Sequence, residues 1–177
     1  LALPPVLTIA AGLLFYAAFY FVGNGAAQIS AVLPVPRFGV VHLVAPLPTV
    51  GFPAICKPAA EYVSIGVDQR SVLRTMRALA VLVADMHERW NEVLVQRYID
   101  GREVNVGIVG STALPVAEIR FDGLPKRMWR IVSYRSKWIT GSDEDLGTVP
   151  SCPAEMPDAL SAELKQLALA AWRLVGG

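Results

Sequence analysis

Lys57 closes an apolar run, Phe52-Pro53-Ala54-Ile55-Cys56, and Pro58 follows it directly. It is the first lysine or arginine after Arg37. A lysine at the end of a strand-like run can reach phosphate oxygens as a point charge. The loop behind it is short, carries Glu61 and Ser64, and is closed by Gly66. Its backbone N–H groups could cover a polyphosphate. On its own the pattern is weak, because a lysine closing a strand is more often a solvated edge charge.

Other residues with chemical potential point elsewhere or nowhere. Cys56 lies inside the apolar run and Cys152 in a proline-flanked loop, so neither metal spacing nor a disulfide framework exists. Two reduced thiols in a cytoplasmic protein is the simpler reading. His42 and His87 are far apart in sequence, without a nucleophile or metal partner nearby, and read as structural. Net charge is +1 over 177 residues, which gives no basic field for nucleic acid. Arg70, Arg74 and Arg77 share a helix face and read as a solvated row.

Several elements must position the lysine. The run from Phe38 to Val44 reads as a strand ended by Pro46 and Pro48, and Phe52 to Lys57 as a second. A helix is expected from about Val72 to Trp90, with Val72, Met76, Leu79 and Val83 as its buried stripe. Val93 to Val95 reads as a short strand and Gln96 to Glu103 as a polar connector turning at Gly101. Val104 to Val109 and Leu114 to Phe121 form a hairpin with Gly110 near its tip. Asp122 to Pro150 reads as one long charged stretch, of the kind that is a functional loop or lid or is disordered. After Pro157 a helix begins, with Asp158 as N-cap and an apolar stripe of Leu160, Leu164, Leu167, Ala168, Ala171 and Leu174. Partial alternation with a hairpin means α+β rather than a doubly wound sheet.

The N-terminal stretch stands apart. No charged residue occurs from Leu1 to Pro36, and Val6 to Val22 is almost wholly apolar. That length sits at the lower limit for a membrane span of roughly 17–25 residues. No flanking lysine or arginine orients it and no basic start marks a signal peptide. Buried core or an incomplete region is favoured over a membrane anchor.

Three segments taken together match one pattern: Phe52 to Pro58; Val93-Leu94-Val95-Gln96-Arg97-Tyr98-Ile99-Asp100-Gly101-Arg102-Glu103; and Leu114-Pro115-Val116-Ala117-Glu118-Ile119. In that order and spacing the chain resembles the ATP-grasp fold, and within it the D-alanine–D-alanine ligase group. Cys152-Pro153-Ala154 fits the same group, and the resemblance runs from about Leu33 to Gly177. It implies a two-lobe ATP-grasp fold, incomplete at the C-terminus, divided into an apolar remnant (1–32), an N-lobe (33–95) and a partial C-lobe (96–177). It also implies roles. Lys57 would contact the ATP phosphates, with Glu61 and Ser64 in the loop closing over phosphates and substrate. Gln96, Tyr98 and Ile99 would border adenine at the hinge, and Glu103 would accept from the ribose hydroxyls. Lys137 matches the family's mobile-loop lysine near the γ-phosphate, so Lys137 and Ser64 are the catalytic candidates. The implied reaction is carboxylate–amine ligation through an acyl phosphate, using ATP and Mg²⁺, on small amino-acid-like substrates, with a homodimer as in related ligases.

Departures from the family pattern bear on substrate and activity. Val63 stands where the ligases carry a serine, and Trp138 where they tend to carry tyrosine, which leaves the carboxylate and the amine open. The family's Mg²⁺-binding strands would lie beyond Gly177, so little or no turnover is expected of these 177 residues alone. A nucleotide-binding module without catalysis is the second reading. A membrane-anchored interaction protein using Val6 to Val22 is the third.

Overall fold

The computed structural model describes residues 38–42 and 50–174. The apolar segment 6–22 and the extended entry at 33–36 lie outside them. Among the described residues no helix is long and apolar enough to cross a membrane. The chain divides into two compact units, one of Pro36–Asp100 with Phe121–Val149, the other built from Gly101–Arg120 and Pro150–Gly177.

The first unit holds a four-stranded sheet of β1 (Phe38–His42), β2 (Ala54–Pro58), β3 (Val72–Leu73) and β4 (Glu92–Arg97), in the order β1-β4-β2-β3. Every pair is antiparallel. Side chains alternate across a strand, so β2 presents Ala54, Cys56 and Pro58 to one face and Ile55 and Lys57 to the other. On the first face lies α1 (Met76–His87), whose Leu79, Val83 and Met86 pack with Val50, Ala54, Cys56, Val93 and Val95. Each fully buried aliphatic side chain there contributes about 1.5–3 kcal/mol. The opposite face carries a smaller cluster of Val67, Val72, Tyr98 and Ile131, with Ile55 and Trp129 against it.

The helix is shorter than its apolar pattern suggests. Val72 and Leu73 pair with Ile55 and Ala54 instead of entering it. A 3-10 turn (Gln69–Ser71), capped by Asp68, delivers them in extended form. The helix starts behind Thr75, whose hydroxyl accepts from the Ala78 N–H at 3.3 Å. Its stripe is therefore Leu79, Val83 and Met86, while Met76 is exposed and Trp90 lies past the end. The expected connector is also shorter, because Gln96 and Arg97 still pair in β4.

The long segment after Phe121 is not one open loop. It contains α2 (Tyr134–Trp138) and α3 (Asp143–Gly147), capped by Ser133 and Ser142, and runs into β7 (Val149–Ser151). Local side-chain caps made these turns invisible to a search for apolar periodicity.

In the other unit, β5 (Glu103–Val109) and β6 (Thr112–Arg120) form the expected hairpin, with β7 beside β6. The register slips between Val106 and Ile108. α4 (Asp158–Leu174) buries Leu164 and Ala168 on Val104, Val106 and Val116. Asp158 is its first residue, and Leu174 is exposed.

Candidate active-site surface

Lys57 stands half-buried on the sheet face turned away from α1. Directly across from it on β4 is Leu94, and across from Ile55 is Gln96. Residues opposite each other point to the same side, so Lys57 and Gln96 are diagonal neighbours on one surface, with Cβ atoms roughly 7 Å apart. The chain leaves that face through Tyr98, whose N–H donates to the Pro53 carbonyl at 2.8 Å. The Tyr98 ring meets Trp129 edge-on at 5.1 Å, and its hydroxyl donates to the Arg130 carbonyl at 3.4 Å. Burial, with help from the Asp100 charge, pushes the phenol up to about 12. Ile99 follows, half-buried.

The loop from Ala59 to Asp68 begins tied to the sheet by the Ala59 N–H, which donates to the Glu92 carbonyl at 3.0 Å. Glu61 accepts from the Trp90 indole at 3.1 Å, which anchors the loop to the turn after α1. Val63 and Ser64 both adopt left-handed backbone, with φ of +50 and +66. For a β-branched residue this conformation is strained and needs external support. The support comes from α2: the Trp138 indole N–H donates to the Val63 carbonyl at 3.0 Å. Two further bonds join the same two segments. The Ser64 hydroxyl donates to the Val132 carbonyl at 2.8 Å, and the Tyr134 N–H to the Val67 carbonyl at 2.9 Å. Gly66, at φ +74, lies so close to Pro58 and Trp90 that an added Cβ would sit 2.6 Å from Pro58 Cγ.

The Ser64 loop is thus pinned to the segment bearing Lys137, which is itself exposed at the last turn of α2. Ser64 has its one proton committed to Val132 and keeps acceptor lone pairs. Lys57, Gln96, Glu61, Ser64, Tyr98, Ile99 and Lys137 belong to one unit; Glu103 belongs to the other. Glu103 opens β5 opposite Ile119, half-buried. Just before it, Arg102 grips Glu118 through two nitrogens, at 2.6 and 2.5 Å, and donates to the Glu155 carbonyl at 2.8 Å. The Glu118 hydrogen bonds hold the guanidinium proton more tightly than usual.

Sequence reasoning missed the polar network behind α2. The side-chain amide of Gln69 pairs with the Trp129 backbone, accepting from its N–H at 2.7 Å and donating to its carbonyl at 3.3 Å. Gln69 also donates to Glu144, which is buried with Ser133. No spacing rule links positions 69, 133 and 144. Among the described residues no three His, Cys, Asp or Glu side chains gather as metal ligands require.

The architecture is the ATP-grasp fold. D-alanine–D-alanine ligase from Bacillus anthracis superimposes over 85% of this chain and 47% of its own, with a TM-score of 0.64 at 20% identity. The same enzyme complexed with ATP gives 0.60, and the VanG D-Ala:D-Ser ligase from Enterococcus faecalis gives 0.59. The chain belongs to the family described as D-ala D-ala ligase C-terminus, whose pattern it matches over residues 43–177. The D-alanine–D-alanine ligase of Xylella fastidiosa is 35% identical over 151 residues, 81% of this chain and 45% of the relative. That of Bordetella petrii is 34% identical over 152 residues, again 81% of this chain and 42% of the relative. The chain therefore spans less than half the length of these relatives.

Proposed function

We propose that this chain carries the ATP-handling part of a carboxylate–amine ligase of the D-alanine–D-alanine ligase type. The observation that carries the reading is the pinned loop. Three hydrogen bonds tie the Val63–Val67 backbone and Ser64 to the segment 132–138, so two lysine-bearing elements, β2 and α2, flank one braced loop.

ATP bound there would supply its γ-phosphoryl group to a carboxylate, leaving ADP and an acyl phosphate; an amine would attack the acyl carbon, and inorganic phosphate would leave as the amine loses a proton. The residues of this chain bind and orient. Lys57 and Lys137 offset the negative charge of the phosphates, the main electrostatic demand of phosphoryl transfer. Ser64 offers an acceptor beside them, and Glu61 keeps its loop in place through Trp90. Gln96, Tyr98 and Ile99 are the candidates to border adenine, and Glu103, which opens β5 after the short Tyr98–Arg102 connector, is the candidate for the ribose. The exposed Tyr62, Val63, Ile65 and Trp138 exclude water once the site closes. Among the described residues no three His, Cys, Asp or Glu side chains gather to hold Mg²⁺ by themselves. Amino-acid-like substrates, a homodimer and a cytoplasmic setting complete the reading.

Titration calorimetry of this chain with ATP tests it. Losing one charged contact to phosphate costs about 1.5–3 kcal/mol, so Lys57→Gln should weaken ATP binding by tenfold or more, on the order of one decade per 1.4 kcal/mol. Equal affinity in Lys57→Gln, or no heat from the parent chain at millimolar ATP, overturns the proposal.

A further inference from the structure

Glu144 is 4% exposed, yet its carboxylate is fully engaged. One oxygen forms an ion pair with the Arg135 guanidinium, Nε to Oε1 at 3.1 Å. The other accepts from the Ser133 hydroxyl at 2.5 Å and from the Gln69 amide at 3.3 Å. Two hydrogen-bond donors and one cation suit an acceptor-only carboxylate. They lie in three different places: the 3-10 turn that follows the Ser64 loop, the N-cap of α2, and the first turn of α2.

α2 has five residues, far too few to hold its own direction. Its orientation must come from its anchors. At its start, Ser133 accepts from the Ser136 N–H at 3.1 Å while donating to Glu144. At its end, Trp138 reaches the Val63 carbonyl. Glu144 is fixed in turn by α3, where Ser142 accepts from the Asp145 N–H and donates to the Arg135 carbonyl at 3.2 Å. The last residue of α3, Gly147, lies so near the Leu124 backbone that a Cβ would come within 2.7 Å of Leu124 Cα. A buried charge is a weak stabiliser by itself. What this one supplies is a fixed relation between segments.

We propose that Glu144 is a positioning residue, which sets Lys137 against the Ser64 loop by tying the start of α2, at Ser133 and Arg135, to Gln69 in the turn that follows that loop. The proposal rests on reading Lys137 as a phosphate contact. Glu144→Gln places an amide NH₂ among donors and breaks the arrangement with little change of volume. Ser133→Ala removes one of the same bonds more gently and serves if the first variant folds poorly.

Two measurements on the full 177-residue chain decide it. In amide hydrogen exchange, Glu144→Gln should speed exchange over 132–140 and 62–67 while α1 keeps its protection. Unchanged exchange there, or equal loss of protection in α1, overturns the proposal. In ATP titrations, Glu144→Gln and Lys137→Ala should each weaken binding about tenfold, and the double variant should be no weaker than Lys137→Ala alone, because coupled residues are not additive. Additive losses leave the Lys137 reading standing and refute the positioning role. If Lys137→Ala binds ATP as the parent does, the Lys137 reading falls and takes the positioning role with it.

Discussion

Replacing Gly66 by alanine should be the most damaging single-methyl change in the loop. Two costs combine there. Its φ of +74 is left-handed, which charges an L-residue about 1–2 kcal/mol. The added Cβ also lands 2.6 Å from Pro58 Cγ and 2.9 Å from Trp90 Cη2. Pro58 is a fully buried part of β2, and Trp90 is packed on the α1 core, so neither yields freely. Overfilling of that kind costs about 1–3 kcal/mol, which brings the sum to about 2–5 kcal/mol. Gly141 is the control in the same unit. Its φ is +80, but nothing lies within 4 Å of an added Cβ, so Gly141→Ala should lose only the conformational part. Urea unfolding followed by circular dichroism gives both values. Equal shifts for the two variants would refute the packing argument, and no shift in either would refute the backbone assignment. Gly66→Ala should also weaken ATP binding, since the methyl pushes the loop away from Lys57 and Lys137.

Two further outcomes follow from the polar and sulfur chemistry. Arg102→Met strands Glu118, whose side chain is only 12% exposed, and should lower stability by about 2 kcal/mol; the double variant with Glu118→Leu should recover most of that, and a thermal midpoint unmoved by Arg102→Met counts against the pair. Burial raises the Cys56 thiol from 9.0 to about 12, so iodoacetamide at pH 8 should label the exposed Cys152 and spare Cys56 until urea unfolds the chain. Because the unfolded chain releases that proton first, the thiol's share of stability is complete below pH 9.0 and is lost as pH climbs toward 12; Cys56→Ala should flatten that loss, and an identical alkaline profile would contradict it.

The sequence made the strands and the hairpin readable, because Ala54 to Pro58 and Val104 to Val109 alternate cleanly and Gly110 marks the tip. It overstated α1, since Val72 looks equally at home in a helix stripe and in a strand, and the Asp68 cap decides for the strand. The short helices α2 and α3 rest on Ser133 and Ser142 caps and carry too little apolar pattern to announce themselves. Lys57, Gln96 and Ser64 could be named from motif likeness alone. Their bracing could not, because Gln69, Trp129, Ser133 and Glu144 meet only after the chain has passed through the other unit. The Val63–Trp138 bond was hidden for the same reason: each residue registered as a departure from a pattern, and nothing in one dimension showed that they touch.

The two units share the chain in alternation, with exchanges after Asp100, Arg120 and Val149. During synthesis, β1, β2, α1 and β4 emerge before the hairpin, yet Tyr98 cannot bury against Trp129, nor Ser64 find Val132, until the ribosome has delivered the whole hairpin of the other unit. The loop that holds Lys57's neighbours in place is therefore completed late. A ribosome-stalled chain ending near Arg120 should display the α1 sheet without its braced loop, and no single proteolytic cut can release either unit as one continuous piece.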